Sequence, residues 1–138
     1  MMMKNLLFQL IFLLSVLPYQ IVAIENNNQQ ETLVPETYKV LKIKRIKNIF
    51  VIYALKVNDN TKFEIVSIKG KTDNCTKIRV GNEYRLVLYP DFDENDFSRF
   101  TVTHVEISGI LIPLEREYNR NLYFTSNLIG LCYIEPGK

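Results

Sequence analysis

Runs of β-branched and aromatic residues, cut at short intervals by turn residues, constrain this chain more than any other feature. The clearest run is Ile49 to Val57, where Ile49, Val51, Tyr53 and Leu55 alternate with Phe50, Ile52 and Ala54. Both faces of an extended segment there are apolar, so both must be covered, and the segment is expected to be a central strand. Tyr38 to Ile46 reads as the strand before it, joined through Lys47 and Asn48 as a tight hairpin. Asn58-Asp59-Asn60-Thr61 is a dense turn signal, after which Phe63 to Ile68 gives a third strand.

Further along, Lys69 to Thr76 is a polar loop containing Gly70, Ile78 to Val80 a brief strand, and Tyr84 to Tyr89 a long fourth strand. Pro90 to Ser98 is an acidic loop, and Phe100 to Ile112 is expected to be one strand with a bulge or bend at Gly109. Glu115 to Asn121 is a charged connection with room for one helical turn, and Leu122 to Thr125 with Leu128 to Ile134 supplies the last strand or two. Helical periodicity is weak throughout this stretch. The fold class is therefore all-β with at most a minor helix: a small antiparallel barrel of five to seven strands, of oligonucleotide/oligosaccharide-binding (OB) type or a related open form.

The phrase Lys77-Ile78-Arg79-Val80-Gly81-Asn82-Glu83-Tyr84-Arg85-Leu86-Val87-Leu88, together with Tyr53 and Phe63-Glu64-Ile65-Val66-Ser67, resembles small exported bacterial proteins with an OB-like β-barrel. The resemblance spans most of residues 38 to 134. It implies the barrel and an exported setting, and it carries no catalytic residue across. The chain departs from the usual OB layout in lacking a clear helix between the third and fourth strands.

The opening residues read as a secretory signal peptide. Lys4 gives a positive start, and Leu6 to Leu17 is apolar except for Gln9 and Ser15. About twelve residues of helix reach roughly 18 Å, short of the roughly 30 Å hydrocarbon core of a bilayer. Pro18 stops the helix, and Ile21-Val22-Ala23 offers a small residue at the cleavage point. Residues 1–23 are thus expected to be removed, 24–37 to be a polar flexible leader, and 38–138 to be a single β domain with no transmembrane segment. A secreted, periplasmic or cell-envelope location follows.

Export bears on Cys75 and Cys132, the two cysteines of the chain, which are candidates for a disulfide in an oxidising compartment. Two separate thiols, with Cys132 a small core residue, is the alternative. Asn74-Cys75-Thr76 also fits the N-glycosylation pattern, which a bridge at its middle residue would hinder. The net charge of +2 hides an asymmetry: residues 39–85 hold twelve Lys or Arg against four Asp or Glu, and residues 86–138 hold four against eight. Lys42, Lys44, Arg45, Lys69, Lys71, Lys77 and Arg79 are therefore candidates for an anionic-ligand face, against the plainer reading of solvated charges on a barrel exterior.

Signatures of catalysis are missing. His104, the one histidine, has no local acid and nucleophile pattern and reads as a structural or solvent-facing strand residue. The acidic loop from Asp91 to Asp96 alternates oxygen ligands, but the sixth and twelfth places of a calcium loop hold Asp96 and Val102 instead of Gly and Glu. No zinc pattern, phosphate-binding glycine loop or nucleophile elbow is present, so neither metal nor cofactor is implied. The expected function is an exported binding or interaction module, a monomer without evident catalytic chemistry. Its partner would be a protein, glycan or other anionic ligand, nucleic acid being disfavoured by the compartment. The alternatives are a small secreted hydrolase using His104 or acidic residues, and a structural envelope component.

Overall fold

A computed structural model describes residues 33–91, 102–118 and 121–137. The expected signal peptide and most of the acidic loop lie outside the described residues. The described chain is all-β, a curled sheet forming a barrel-like half-shell with two small accessory sheets, and no helix occurs among the described residues.

The first three strands form the expected meander: β1 (Glu36–Ile46), β2 (Ile49–Lys56) and β3 (Lys62–Ile68), paired antiparallel in order. Lys47 takes a positive φ of 54° in the turn between β1 and β2. Asp59 shapes the next turn by accepting the Thr61 N–H at 2.9 Å, and that bond leads the causes holding its carboxyl below the usual range. A β-bulge between Val40 and Lys42 shifts the register of β1 against β2. Beyond the bulge Lys42 and Lys44 lie opposite Tyr53 and Val51, while Ile43 and Arg45 lie opposite Ile52 and Phe50.

Next come β4 (Thr76–Lys77), β5 (Glu83–Leu86) and β6 (Tyr89–Pro90), then the hairpin β7 (His104–Ile107) and β8 (Ile110–Pro113), and finally β9 (Leu122–Phe124), β10 (Leu128–Ile129) and β11 (Cys132–Tyr133). The main sheet runs β5-β1-β2-β3-β9-β6. Its two outermost members, β5 and β6, are halves of one extended segment interrupted only by Val87 and Leu88, so the sheet curls until a single stretch of chain serves both margins. This is the expected long fourth strand, broken where it leaves β1 for β9. Asn127 fills the break: its Oδ1 accepts the Val87 N–H at 2.8 Å, and its Nδ2 donates to the Ile134 carbonyl at 3.0 Å.

The structure departs from the sequence reading in four places. The brief strand expected at Ile78 to Val80 falls instead at Thr76–Lys77, where the chain pairs with β11. The barrel is not purely antiparallel, because β3 pairs parallel with β9; the long excursion between β6 and β9 lets the chain re-enter in the same direction. The expected single strand up to Ile112 is a hairpin, because Ser108 and Gly109 both adopt positive φ, 50° and 77°, and reverse the chain. The Glu115 to Tyr118 stretch closes a turn, with Tyr118 N–H on the Glu115 carbonyl at 3.0 Å, where a helical turn had been allowed for.

Two cores result, with β2 between them as its doubly apolar pattern requires. Inside the curl Ile52, Ala54, Ile65, Leu86, Leu88 and Tyr123 pack together, with Phe63 ringed by Tyr38 at 5.4 Å and Tyr123 at 4.9 Å between centroids. Burial, reinforced by Glu36, pushes the Tyr38 phenol up to about 12. On the other face Ile49, Val51 and Tyr53 meet Val66 and Leu122 under the β7–β8 hairpin, which contributes Val105, Ile110 and Ile112.

Candidate functional site

One concavity is built around the end of β3. There the Lys69 N–H donates to the Asn48 carbonyl at 2.8 Å and the Gly130 N–H to the Ile68 carbonyl at 2.8 Å, which draws together the β1–β2 turn, the 69–77 loop and the β10–β11 hairpin. Gly70 is required by this closeness, since a Cβ on it would lie 2.5 Å from Ile129 Cγ2. Gly130, at φ 59°, lets the hairpin lie against Phe50, whose Cε2 would stand 3.5 Å from an added Cβ.

Cys75 and Cys132 form the expected disulfide, with Cα atoms 5.5 Å apart. It joins the loop to β11 beside the short β4–β11 ladder, in which Thr76 faces Tyr133 and Lys77 faces Cys132. The result is a groove of about 490 Å³ floored by Phe50, Ile129 and Leu131 and rimmed by Lys69, Lys71 and Lys77, with Asp73 the one carboxylate among its lining residues. Arg45 adjoins the floor, its guanidinium 5.7 Å from the Phe50 centroid and its Nε donating to the Lys47 carbonyl at 2.9 Å.

The disulfide is also a wall of a second, shallower concavity of about 770 Å³ that bears Glu83 and Glu135 beside Tyr84 and Tyr133. These tyrosines are used structurally: the Tyr84 hydroxyl accepts the Arg79 N–H at 2.9 Å and the Tyr133 hydroxyl donates to the Arg85 carbonyl at 3.1 Å. Opposite charges therefore face the two sides of one covalent bridge.

Of the seven cations singled out from sequence, Lys69, Lys71 and Lys77 come together in the groove and Arg45 beside it. The others do not join them. Lys42 belongs to the side of β1 that faces the second core, where it pairs with Glu115 at 3.3 Å and lies 4.8 Å from the Tyr53 centroid. Lys44 lies opposite Val51 on that same side, and Arg79 is exposed ahead of the Gly81 turn. Lys42, Lys56 and Lys62 are paired with Glu115, with Glu36 and Asp59, and with Glu117, whereas Lys69, Lys71 and Lys77, like Lys39, Lys44 and Lys47 outside the groove, form no ion pair among the described residues.

A second polar cluster escaped the sequence reading. Glu64 on β3 is 0 % exposed, and its Oε2 accepts the Glu115 N–H at 3.1 Å. Its Oε1 and the Tyr53 hydroxyl are buried without hydrogen bonds of good geometry. Burial pushes the Glu64 carboxyl up to about 7, the Glu115 N–H opposing this and the Glu115 charge adding to it. Burial, then Glu64 and Glu115, raises the Tyr53 phenol far above its ordinary range, and Tyr118, edge-on to Tyr53 at 4.8 Å, is raised too. The signal was faint but present: a lone acid between Phe63 and Ile65 on a strand adjacent to one with two apolar faces.

His104 is exposed on β7, its Nδ1 3.0 Å from Thr103 Oγ1. Among the described residues no group of His, Cys, Asp or Glu is placed to hold a metal ion, and no helix is long and apolar enough to cross a membrane. No protein-family model, curated protein or solved structure matches the chain.

Proposed function

We propose that the domain is an exported binding module that holds an anionic glycan in the groove between the 69–77 loop and the β10–β11 hairpin. One observation carries this reading: three lysines that form no ion pair among the described residues line one partly apolar concavity whose lining holds a single carboxylate, Asp73. Uncompensated ammonium groups around a partly apolar floor suit sulfate or carboxylate groups carried on a ring scaffold, with charge supplying attraction and Phe50 offering its ring. The disulfide supports an oxidising, extracytoplasmic setting.

The strand circuit supports the OB-like resemblance. β1, β2, β3, β9 and the β5–β6 segment follow one another around the curl as five members. OB barrels bind oligosaccharides and oligonucleotides on their second and third strands and adjoining loops, and here Phe50 on β2 and the residues following β3 belong to the groove.

Retention on immobilised heparin, a sulfated glycan, tests the proposal. Purified protein is expected to bind and to elute with rising salt. The triple variant Lys69→Glu, Lys71→Glu, Lys77→Glu should bind at least about tenfold more weakly, at roughly 0.5–1 kcal/mol for each contact. Lys42→Ala with Lys62→Ala should bind like the parent. Equal retention of the triple variant sinks the groove, and equal affinity for an oligonucleotide of matched charge would replace glycan selectivity with general polyanion binding.

A further inference from the structure

The covalent bridge and the ligand groove share residues: Cys75 and Cys132 both line the cavity that Lys69, Lys71 and Lys77 rim. What else holds those lysines differs from one to the next. Lys69 is fixed through its own N–H on the Asn48 carbonyl, and Lys77 sits in the β4–β11 ladder with the Ile78 N–H on the Leu131 carbonyl at 2.8 Å beside it. Between them lie Gly70 to Asn74, all exposed, which make no backbone hydrogen bond among the described residues. Asn74 adopts a positive φ of 44°, which its short polar side chain tolerates. Apart from the contact of Gly70 with Ile129, the one strong restraint on this span is the bond at Cys75.

Both cysteines border both concavities, and Cys75, half-buried against 5 % exposure for Cys132, is the more accessible of the two to a thiolate. Cys132 is buried beside Leu131 and Tyr133, which pack against the first core.

We infer that the Cys75–Cys132 disulfide is a redox switch for the groove: the oxidised bridge presents Lys71 to the ligand, and a dithiol reductant releases it. The inference rests on the anion-binding reading. In the step, one thiolate of the dithiol attacks Cys75 Sγ and the sulfur–sulfur bond to Cys132 breaks. Cys132 leaves as a thiolate and takes a proton. The second thiol of the reductant then displaces Cys75, so two electrons pass to the protein, which gains two thiols, and the reductant ends as a disulfide. Gly70 to Asn74 are freed while the barrel remains, and ligand binding must then bear the ordering of the loop and of the Lys71 side chain.

The experiment is heparin affinity of the purified protein, oxidised and after treatment with dithiothreitol, with Lys71→Ala measured in both states. Oxidised parent should bind about two- to fivefold more tightly than reduced parent, with an unchanged far-ultraviolet circular dichroism spectrum. Oxidised Lys71→Ala should match the reduced parent, and reducing that variant should cost little more, because both changes remove the same contact. Equal affinity of oxidised and reduced parent overturns the switch and leaves the groove standing. A reductive loss as large in Lys71→Ala as in the parent, or accompanied by loss of β-structure, also overturns it, since the bridge then acts on the fold. Failure of the oxidised parent to bind heparin removes the anion-binding reading itself, and the switch with it.

Discussion

At the scale of single residues the most consequential placement is Glu64, an acid in the layer between the sheet and the β7–β8 hairpin. Tyr53 on β2, Glu115 after β8 and Lys44 on β1 are the titratable groups bearing on it, with Tyr118 stacked edge-on to Tyr53. Its carboxyl titrates near 7 in the fold against an ordinary 4.5, so the folded state holds the proton more tightly than the unfolded chain does. The stability this confers is fully present below about pH 4.5 and is lost as pH rises through about 7. Glu64→Gln keeps an acceptor for the Glu115 N–H and removes the titration. Chemical denaturation from pH 5 to 8 should show the parent losing on the order of 2–3 kcal/mol relative to this variant. Parallel pH profiles would show that Glu64 titrates as it does in water. Sequence alone placed Glu64 on a strand but not in a buried layer, because the covering hairpin comes some forty residues later in the chain.

At the scale of elements, legibility followed locality. The meander could be read because each turn signal lies between the strands it joins. The parallel β3–β9 contact could not, since nothing local to Leu122–Phe124 encodes which strand it meets. The β7–β8 hairpin was misread because its Ser-Gly turn lies in an unbroken β-branched run, where a glycine serves a bulge as readily as a reversal. The break between β5 and β6 depends on Asn127, forty residues away, which satisfies both the Val87 N–H and the Ile134 carbonyl. Asn127→Ala strands both groups in a partly buried place and should cost about 2–4 kcal/mol, measured by urea unfolding. A change below about 0.5 kcal/mol would show that water replaces the amide there.

For the whole molecule the disulfide matters twice, to stability as well as to the groove. It spans a sequence separation of 57, and opening it should lower stability by about 2–4 kcal/mol. The melting temperature of the Cys75→Ser, Cys132→Ser double variant should fall by about 10–20 °C while the variant remains folded at 25 °C. Unaltered melting would mean that the reduced chain is already restrained by other contacts. Pairing of the two cysteines was open to sequence reasoning, through compartment and even count. The gathering of Lys69, Lys71 and Lys77 was legible only as a list of cations, because the division between groove and opposite face depends on the bulge after Val40 and on the fold-back of β10 and β11.

The closing segment covers β1 only from Glu36 to about Val40; from Leu41 to Ile46 the outer side of that strand has no ladder partner among the described residues. This bare stretch carries the bulge together with Lys42, Lys44 and Arg45. An approaching chain seeking to lengthen the sheet would meet a twisted backbone and a row of like charges that must shed their hydration. Charges at such an unpaired edge, with a bulge beside them, disfavour edge-to-edge pairing between copies of a chain.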